Sequence, residues 1–459
     1  MDRYLHGMQG KRVAVIGIGI SNTPLIRLLR QAGISVTACD KSGRESFGPL
    51  ADELENLGVE LRLGPGYLEG LDQEVIFRTP GMHPDTPALA QAKARGSVVT
   101  SEMEAFFQVC PCPIIAVTGS DGKTTTTTII SQLMERAGHR VFVGGNIGHP
   151  LLAEVPGMVK EDWAVLELSS FQLMTMDRSP RIAVVTNLAP NHLDIHKSME
   201  EYVAAKENIF LYQSPEDKVV LNFDNNITRD FAGKAPGRVM FFSRQGGDTS
   251  GVYLRDGIIR VNGARGDHAV LDTADILLPG AHNVENYMAA IAAVEGLVPD
   301  QVIRDYARTF AGVEHRIELV RTLDGVRYYN DSIASSPTRT MAGLRSFREK
   351  VILIAGGYDK HIPYEPLGPD LVAHVKLLIL TGATAPKIRA AAEGAPGYDP
   401  QALPILETED LAAAVAEARR QAQPGDVVIL SPASASFDRY KNFMERGQAF
   451  KDLVNGLEG

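Results

Sequence analysis

Short apolar runs alternate with longer helical patterns along almost the whole chain. The runs are four to seven residues long and occupy positions 13–19, 114–119, 163–168, 182–188, 351–357, 377–380 and 427–432. Runs of this length between helical patterns are typical of parallel strands that helices cover on both faces. The pattern therefore predicts an α/β fold built from repeated β–α–β units.

Three separate starts of such units divide the chain. The first lies at Val13, and the second lies at Ile114, directly after the segment VCPCP (109–113), whose two prolines suit a linker. The third lies near Gly312, where the sequence reads as two strands around an Asp–Gly turn. We therefore predict three domains, with the boundaries 1–101, 102–312 and 313–459.

The composition argues against several classes of protein. A formal net charge of −10 disfavours a nucleic-acid-binding protein, because phosphate contacts need clustered lysine and arginine. The three cysteines, Cys39, Cys110 and Cys112, form no C-x-x-C motif, which disfavours a zinc site and fits a reducing compartment. No run approaches the ~18 apolar residues of a membrane span. We expect a cytoplasmic monomer that neither binds nucleic acid nor inserts into a membrane.

A candidate phosphate-binding loop follows the strand that begins at Ile114. The loop reads T-G-S-D-G-K-T (118–124) and passes into a helical pattern that ends near Arg136. Backbone N–H groups at such a helix start attract anions, Lys123 can reach terminal phosphates, and Thr124 can place its hydroxyl on Mg²⁺. The loop is shorter than the usual phosphate loop. The alternative interpretation is a Gly–Lys turn with a threonine-rich helix cap.

A second group of polar residues suggests a metal. Glu167 ends the strand 163–168, and the segment after the next strand offers His192, Asp194, His196 and Lys206. Ligands of α/β proteins bind at the carboxyl ends of strands. Carboxylates there can hold Mg²⁺, which prefers oxygen ligands and retains waters.

An ordered set of motifs carries a family resemblance: T-G-S-D-G-K-T, E-L-S-S-F-Q-L, N-x-x-x-x-H-L-D, Y-x-x-A-K, G-x-H-N-x-x-N, H-R and N-D-S. Together they resemble the Mur ligases, ATP-dependent amide-bond-forming enzymes of peptidoglycan synthesis, over essentially the whole chain. GGNIG (144–148) and LSPASASFDRYKNFMERGQAF (430–450) are most similar to the member that adds D-glutamate.

The resemblance implies a fold and a reaction. A Rossmann-like N-terminal domain, a central P-loop ATPase-like domain with a mostly parallel sheet and a Rossmann-like C-terminal domain are expected. ATP would phosphorylate the carboxylate of UDP-N-acetylmuramoyl-L-alanine, and the amine of D-glutamate would attack the acyl phosphate. The C-terminal domain is expected to close on the ATP, since Arg316 and Lys360 belong to it but act around Lys123.

The resemblance also implies roles for individual residues. The implied catalytic residues are Lys123, His192, Lys206 and Lys360. The implied ATP-binding residues are Gly119, Ser120, Asp121, Gly122, Lys123, Thr124, Thr125, Asn283, Asn286, Arg316 and Asp331. The implied Mg²⁺ ligands are Thr124, Glu167, His192 and Lys206, with Lys206 carbamylated. The UDP-substrate site would comprise Ile20, Ser21, Asp40, Gly81, Asn146 and Ser169. The amino-acid site would comprise Ser335, Lys360, Ser436, Phe437 and Phe443.

Several of these residues have a plain structural alternative. Lys206 could be an exposed helix lysine, Ser21 and Asn283 could cap helices, and Arg316 and Asp331 could form an ion pair. The chain also departs from the family pattern at Ile333, where many members have a lysine whose charge Arg339 could supply.

Three other functions remain open at this point. They are another amide ligase of the same superfamily, a nucleotide-binding switch and an NAD oxidoreductase. GIGISN (17–22) with Asp40 imitates a dinucleotide fingerprint, but Asn22 stands where the third glycine is needed.

Overall fold

The computed structural model describes residues 1–189, 196, 198–246, 249–360 and 362–458. The chain divides into two compact units, Met1–Thr273 with Val284–Tyr306, and Ala274–Asn283 with Ala307–Gly459. The first unit holds two separate sheets and the second unit holds one. The division into three domains with the boundaries given above stays a prediction.

The first sheet is parallel, with five strands in the order β3-β2-β1-β4-β5 among the described residues. The strand order reverses between β1 and β4, which creates a crevice at the carboxyl ends of the central strands. The elements are α1 (Asp2–His6), β1 (Arg12–Ile16), α2 (Asn22–Gln31), β2 (Ser35–Asp40), α3 (Pro49–Asn56), β3 (Glu60–Leu63), β4 (Val75–Phe77), α4 (Pro87–Ala94), β5 (Val98–Thr100) and α5 (Glu102–Val109).

The second sheet has nine strands in the described part of the chain, in the order β14-β13-β12-β11-β10-β9-β6-β8-β7. It is parallel from β12 to β7 and antiparallel in the β12–β13–β14 meander. The elements are β6 (Ile114–Thr118), α6 (Lys123–Arg136), β7 (Val141–Gly145), β8 (Trp163–Glu167), α7 (Ser170–Leu173), β9 (Ile182–Val185), α8 (Met199–Glu207), β10 (Lys218–Asn222), α9 (Asn226–Asp230), β11 (Arg238–Ser243), β12 (Val252–Arg255), β13 (Ile258–Gly263), β14 (Gly266–Asp272), α10 (Ala281–Val294) and α11 (Asp300–Ala307).

The second unit contains the third sheet, in the order β15-β16-β20-β17-β18-β19. Only the β15–β16 hairpin is antiparallel within its described residues. The elements are β15 (Glu318–Leu323), β16 (Val326–Asn330), α12 (Pro337–Leu344), β17 (Val351–Ala355), α13 (Gly368–His374), β18 (Val375–Leu380), α14 (Ala385–Glu393), β19 (Ile405–Glu407), α15 (Leu411–Gln421), β20 (Val427–Leu430) and α16 (Phe443–Asn455).

The predicted fold class and strands are confirmed. Every residue of β6, β9, β10, β17 and β20 is buried, as expected for strands with helices on both faces. The Asp324–Gly325 turn joins β15 to β16 with both residues at positive φ, 49° and 77°. No helix in the described ranges is long and apolar enough to cross a membrane.

Candidate active site

The loop between β6 and α6 depends on its two glycines. Gly119 and Gly122 have φ values of 149° and 79°, a region that residues with a Cβ rarely adopt. A Cβ on Gly119 would collide with Thr186, and one on Gly122 would collide with Asn286. The N-cap of α6 is Gly122, and no side chain caps it. The threonine-rich cap considered above is therefore wrong, and the 14-residue helix begins without a capping side chain, a geometry that suits anion binding.

Lys123 folds back over this loop. Its Nζ donates to the carbonyls of Gly119 and Ser120, at 3.1 and 3.0 Å. The loop is fastened to the end of β9, because Asn187 Oδ1 accepts from the Asp121 N–H at 3.0 Å. The ammonium group thus lies beside the backbone turn that the sequence marked as the phosphate loop. Asn187 is a supporting residue that the sequence analysis missed.

Thr124 and Glu167 meet at the carboxyl ends of β6 and β8. The Thr124 hydroxyl donates to Glu167 Oε2 at 2.7 Å, and the Asn146 amide donates to Oε1 at 2.7 Å. Glu167 is only 2% exposed. A hydroxyl and a carboxylate are hard oxygen donors of the type Mg²⁺ prefers. Asn146, predicted for the UDP substrate, is thus placed on the candidate metal carboxylate.

Lys206 is buried, with 2% of its surface exposed. Its Nζ donates to Thr118 Oγ1 and to the Gly119 carbonyl, both at 3.0 Å. Burial lowers the pKa of Lys206 well below its ordinary value, the charge of Lys123 lowers it further, and Glu167 opposes the shift. The alternative of an exposed helix lysine is therefore wrong. The structure instead places a readily neutralised amine beside the loop.

The predicted histidine ligands are only partly described. His192 and Asp194 lie outside the described residues. His196 is buried, shares a 2.8 Å hydrogen bond with the Ser170 hydroxyl and stacks on Phe171 at 5.2 Å. Within the described ranges, no cluster of three or more His, Cys, Asp or Glu side chains could hold a metal. The metal ligation predicted for His192 stays a prediction.

The two asparagines of α10 have different neighbours. Asn286 lies by α6, where its Oδ1 accepts from Thr126 Oγ1 at 3.3 Å. Asn283 is the third residue of the helix, and its Nδ2 donates to the Pro279 carbonyl at 2.7 Å. The capping alternative is therefore wrong for Asn283, because an N-cap side chain accepts a hydrogen bond from the helix start. Thr125 is a buried residue of α6.

Four of the predicted UDP-site residues lie at the carboxyl ends of β1, β2 and β4 or on the turns that follow: Ile20, Ser21, Asp40 and Gly81. Ile20 is 84% exposed, and Gly81 is also exposed. Ser21 occupies the N-cap position of α2 without a side-chain capping bond, which contradicts the capping alternative. Asp40 Oδ2 accepts from the Ile18 N–H at 2.8 Å and so joins the first two turns. Ser169, by contrast, forms a capping box with Gln172 at the start of α7.

The third sheet brings three loops together, since β16 and β17 both pair with β20. Asp331, after β16, accepts from the Ser431 hydroxyl at 2.8 Å and from the Ile317 N–H at 3.3 Å. Burial raises the pKa of Asp331 to about 7, although Ser431 and the nearby charge of Arg316 oppose the shift. The Asp331 carboxylate thus accepts hydrogen bonds from Ser431 and Ile317, whereas the alternative considered above expected an ion pair with Arg316.

Arg446 is the main residue that the sequence analysis missed in this unit. The residue is 4% exposed, and its guanidinium donates to Ser332 Oγ at 3.0 Å and to the carbonyls of Ser332, Ser434 and Ala435 at 2.9–3.0 Å. Burial lowers the pKa of Arg446 to about 10. The helical spacing of Arg446 with the buried Phe450 could have indicated its position.

Arg446 therefore ties together the loops that carry the predicted amino-acid site. Ser335 lies on one loop, while buried Ser436 and 62%-exposed Phe437 lie on the other. Phe443 begins α16, and its carbonyl accepts from Ser332 Oγ at 2.8 Å. Lys360 follows β17 and is exposed.

Arg339 approaches the position where the family pattern has a lysine. Its guanidinium donates to the Ile333 carbonyl at 3.1 Å. Burial and the like charge of Arg316 lower the pKa of Arg339, while Asp331 opposes the shift. This placement is compatible with the prediction that Arg339 supplies the charge of the lysine that many family members have at position 333, which stays a prediction.

Known proteins resemble the whole chain. Residues 117–294 match the Mur ligase middle domain, and residues 315–434 match the Mur ligase glutamate ligase domain. The UDP-N-acetylmuramoylalanine–D-glutamate ligase of Acetivibrio thermocellus is 54% identical over 100% of this chain and 99% of its own length. The Clostridium beijerinckii ligase of the same name is 51% identical over 98% and 97%.

Two solved structures share the fold. UDP-N-acetylmuramate–alanine ligase from Thermotoga maritima has a TM-score of 0.58 and 18% identity, over 97% of this chain and 99% of that chain. UDP-N-acetylmuramoyl-L-alanyl-D-glutamate–2,6-diaminopimelate ligase has a TM-score of 0.57 and 21% identity, over 83% and 93%. With the full-length relatives, these findings confirm the family indicated by the ordered motifs: this chain belongs to the Mur ligase family.

Proposed function

We propose that this protein joins D-glutamate to UDP-N-acetylmuramoyl-L-alanine in an ATP- and Mg²⁺-dependent reaction of peptidoglycan synthesis. The observation that carries the proposal is the 54% identity, over the full chain, to a relative named for that ligation. The contacts among Lys123, Thr124, Glu167 and Lys206 support it, because they assemble phosphate-binding and oxygen-donor groups at one sheet edge.

The first step is phosphoryl transfer from ATP to the substrate carboxylate. A carboxylate is a poor electrophile until a leaving group is attached, so the acyl phosphate prepares it for the amine. Phosphoryl transfer needs positioning and charge neutralisation more than covalent help. Positioning and charge neutralisation of the phosphates would come from the N–H groups at the start of α6 and from the ammonium of Lys123. Asn286, packed on the same helix, supports the ATP site.

Thr124 and Glu167 would hold Mg²⁺, which when bound neutralises phosphate charge. Their hydroxyl and carboxylate oxygens already lie 2.7 Å apart, so both donors point to one place. The Asn146 amide fixes the other carboxylate oxygen and holds Glu167 in this orientation. Orientation by such a neighbour matters, since outer hydrogen bonds tune the groups that hold a metal.

Lys206 is suited to carbamylation. Its lowered pKa favours the neutral amine, whose lone pair can attack CO₂; an N–C bond forms and a proton is released. The product replaces a buried cation, disfavoured beside Lys123, with a carboxylate-like group. Such a group would add oxygen donors of the kind that Mg²⁺ prefers, close enough to Glu167 for the two groups to interact electrostatically.

The amine then attacks the acyl phosphate, and phosphate leaves. We assign D-glutamate to the loops after β16, β17 and β20, around Ser335, Lys360 and Ser436. A lysine ammonium is a suitable partner for a carboxylate. Buried Arg446 positions two of these loops and adds positive charge beneath them.

The test is phosphate release from ATP and Mg²⁺ with UDP-N-acetylmuramoyl-L-alanine. Parallel reactions contain D-Glu, L-Glu, L-Lys, diaminopimelate or no amino acid. Release only with D-Glu supports the proposal, and release with another amino acid keeps the ligase but changes its substrate. Release that needs neither the precursor nor an amino acid overturns it in favour of a nucleotide-dependent switch.

A matched pair of variants tests the site itself. Thr124→Val removes the hydroxyl that contacts Glu167, and we expect a loss of about 10²-fold or more in kcat. Thr128→Val makes the same change one turn along α6, where the hydroxyl bonds only within the helix, to the Thr124 carbonyl. Equal losses in both variants would show that the Thr124 hydroxyl has no special role.

A further inference from the structure

Two of the three cysteines lie in contact in the segment between α5 and β6. Cys110 and Cys112 flank Pro111, and their Sγ atoms are 3.5 Å apart. Cys110 Sγ also lies 3.4 Å from the Cys112 carbonyl, to which it donates. Cys39, the third cysteine, is fully buried in β2. The proposed ligation makes no use of the paired sulfurs.

We propose that Cys110 and Cys112 form a reversible intramolecular disulfide when the protein meets a small disulfide oxidant. The pair is thus a site of thiol oxidation at the entrance to the strand that carries the phosphate loop. This inference rests on the sulfur geometry and is independent of the proposed ligation.

The geometry favours a labile bond over a permanent one. A disulfide bond is about 2.0 Å long, so the sulfurs must approach by about 1.5 Å. The closed ring contains only three residues, and Pro111 restricts its backbone because the proline ring fixes φ. A strained disulfide is more easily reduced than a relaxed one. The dithiol form is therefore readily recovered when a thiol reductant replaces the oxidant.

The difference in exposure gives the two thiols separate parts in the exchange. Cys110 is partly exposed, whereas Cys112 is 6% exposed. The hydrogen bond with Cys112 and burial raise the pKa of the Cys110 thiol, so a base in solution must first take its proton. The resulting Cys110 thiolate attacks the small disulfide RSSR, forms a mixed disulfide and releases one RS⁻. The Cys112 thiolate then attacks Cys110 Sγ and releases the second RS⁻. The two cysteines lose two electrons and two protons, and RSSR is reduced to two RSH.

Formation of the disulfide would affect the start of β6, where this strand begins to pair with β8 in the second sheet. The Pro113 carbonyl accepts from the Ala164 N–H at 3.1 Å, directly before Ile114 pairs with Ala164 in the β6–β8 ladder. Trp163, the single tryptophan of the chain, precedes Ala164. Its fluorescence can therefore report a change in this segment.

The test uses the full chain and oxidised glutathione as the probe. After incubation, free thiols are alkylated under denaturing conditions, and peptides are mapped by mass spectrometry without reductant. We expect Cys110 and Cys112 to be linked, Cys39 to be alkylated, and dithiothreitol to restore three alkylated thiols. Tryptophan fluorescence should change on oxidation and return on reduction.

The variants Cys110→Ala and Cys112→Ala are the matched controls. In Cys112→Ala we expect a stable glutathione adduct on Cys110, and in Cys110→Ala we expect neither an adduct nor a disulfide. Three alkylated thiols in oxidised wild-type protein would overturn the proposal. A stable adduct on wild-type Cys110, or a disulfide between two chains, would overturn it as well. The peptide map of the oxidised wild-type protein tests the proposal even if a variant fails to fold.

Discussion

Two buried lysines contact the second sheet at opposite ends of its strands. Lys218 begins β10 at the amino end, whereas the amine of Lys206 lies on Thr118, the last residue of β6. The Lys218 Nζ donates to the carbonyls of Ala292 and Ala293 at 2.7 and 2.8 Å, in the last turn of α10. A helix carboxyl end carries partial negative charge, which stabilises a cation.

The pKa values of the two lysines differ because their neighbouring groups differ. Burial lowers the pKa of Lys218 to about 8, with Glu295 opposing the shift. Burial lowers the pKa of Lys206 well below its ordinary value, and the charge of Lys123 adds to the effect. Similar burial therefore leaves a cation held by helix carbonyls at one end of the sheet, and at the other a lysine whose charged form is disfavoured further by a like charge. The hydrogen-bonding partners and neighbouring charges, rather than burial alone, therefore determine how far the pKa of each lysine falls.

The largest expected effect is a difference in kcat between variants of the two lysines. Lys206→Met should lower kcat about 10²–10³-fold, because the carbamate oxygens expected to hold Mg²⁺ are lost. Lys218→Met is the matched control and should keep activity within a few-fold. Steady-state phosphate release measures both, and melting temperatures show whether each variant folds. A comparable loss in the two variants would remove the functional distinction between the sites.

The second prediction concerns stability against pH. A folded-state pKa of about 8 lies below the unfolded value of 10.5, so the unfolded chain binds the proton more tightly. The Lys218 contribution to stability is therefore constant below pH 8 and rises by about 3 kcal/mol between pH 8 and 10.5. Urea unfolding of wild type and Lys218→Met across this range measures the difference. Parallel curves for the two proteins would contradict the assignment.

The third prediction tests the like-charge effect on Lys206. Lys123→Met removes a charge that lowers the pKa of Lys206, so the neutral amine should form at higher pH than in the wild type. Carbon-13 NMR with labelled bicarbonate would follow the carbamate against pH, without depending on turnover. The carbamate signal should appear at higher pH in the variant and be absent in Lys206→Met. An unchanged pH profile would show that Lys123 does not influence the amine.

The smallest expected effect concerns the neighbour of Lys218. Glu295→Gln removes the charge that raises the Lys218 pKa, so that pKa should fall further. The rise in stability with pH should then begin at lower pH, with a change below about 1 kcal/mol because Glu295 is partly exposed. Urea unfolding midpoints at pH 7 and 9 measure it, and an opposite sign would exclude Glu295 as a stabilising partner.

Local patterns were sufficient for much of the fold. The apolar runs predicted β6, β8, β9, β17 and β20, and the Asp–Gly dipeptide predicted the β15–β16 hairpin. The turn could be predicted because positive φ at Asp324 and Gly325 is a preference of those residue types. The roles of the individual site residues stay predictions, although the fold brings several of them together.

The sequence by itself determined the α/β class, several of the strands, the loop at 118–124 and the family, because these follow from local periodicity and ordered motifs. Only the tertiary structure decided that Lys206 is buried against Thr118, 88 positions away, that Thr124 reaches Glu167 across 43 positions, and that Arg446 lies under two distant loops. The physical reason is that burial, and hence pKa, depends on which distant backbone and side-chain groups surround a residue. Those neighbours are set when the strands pair.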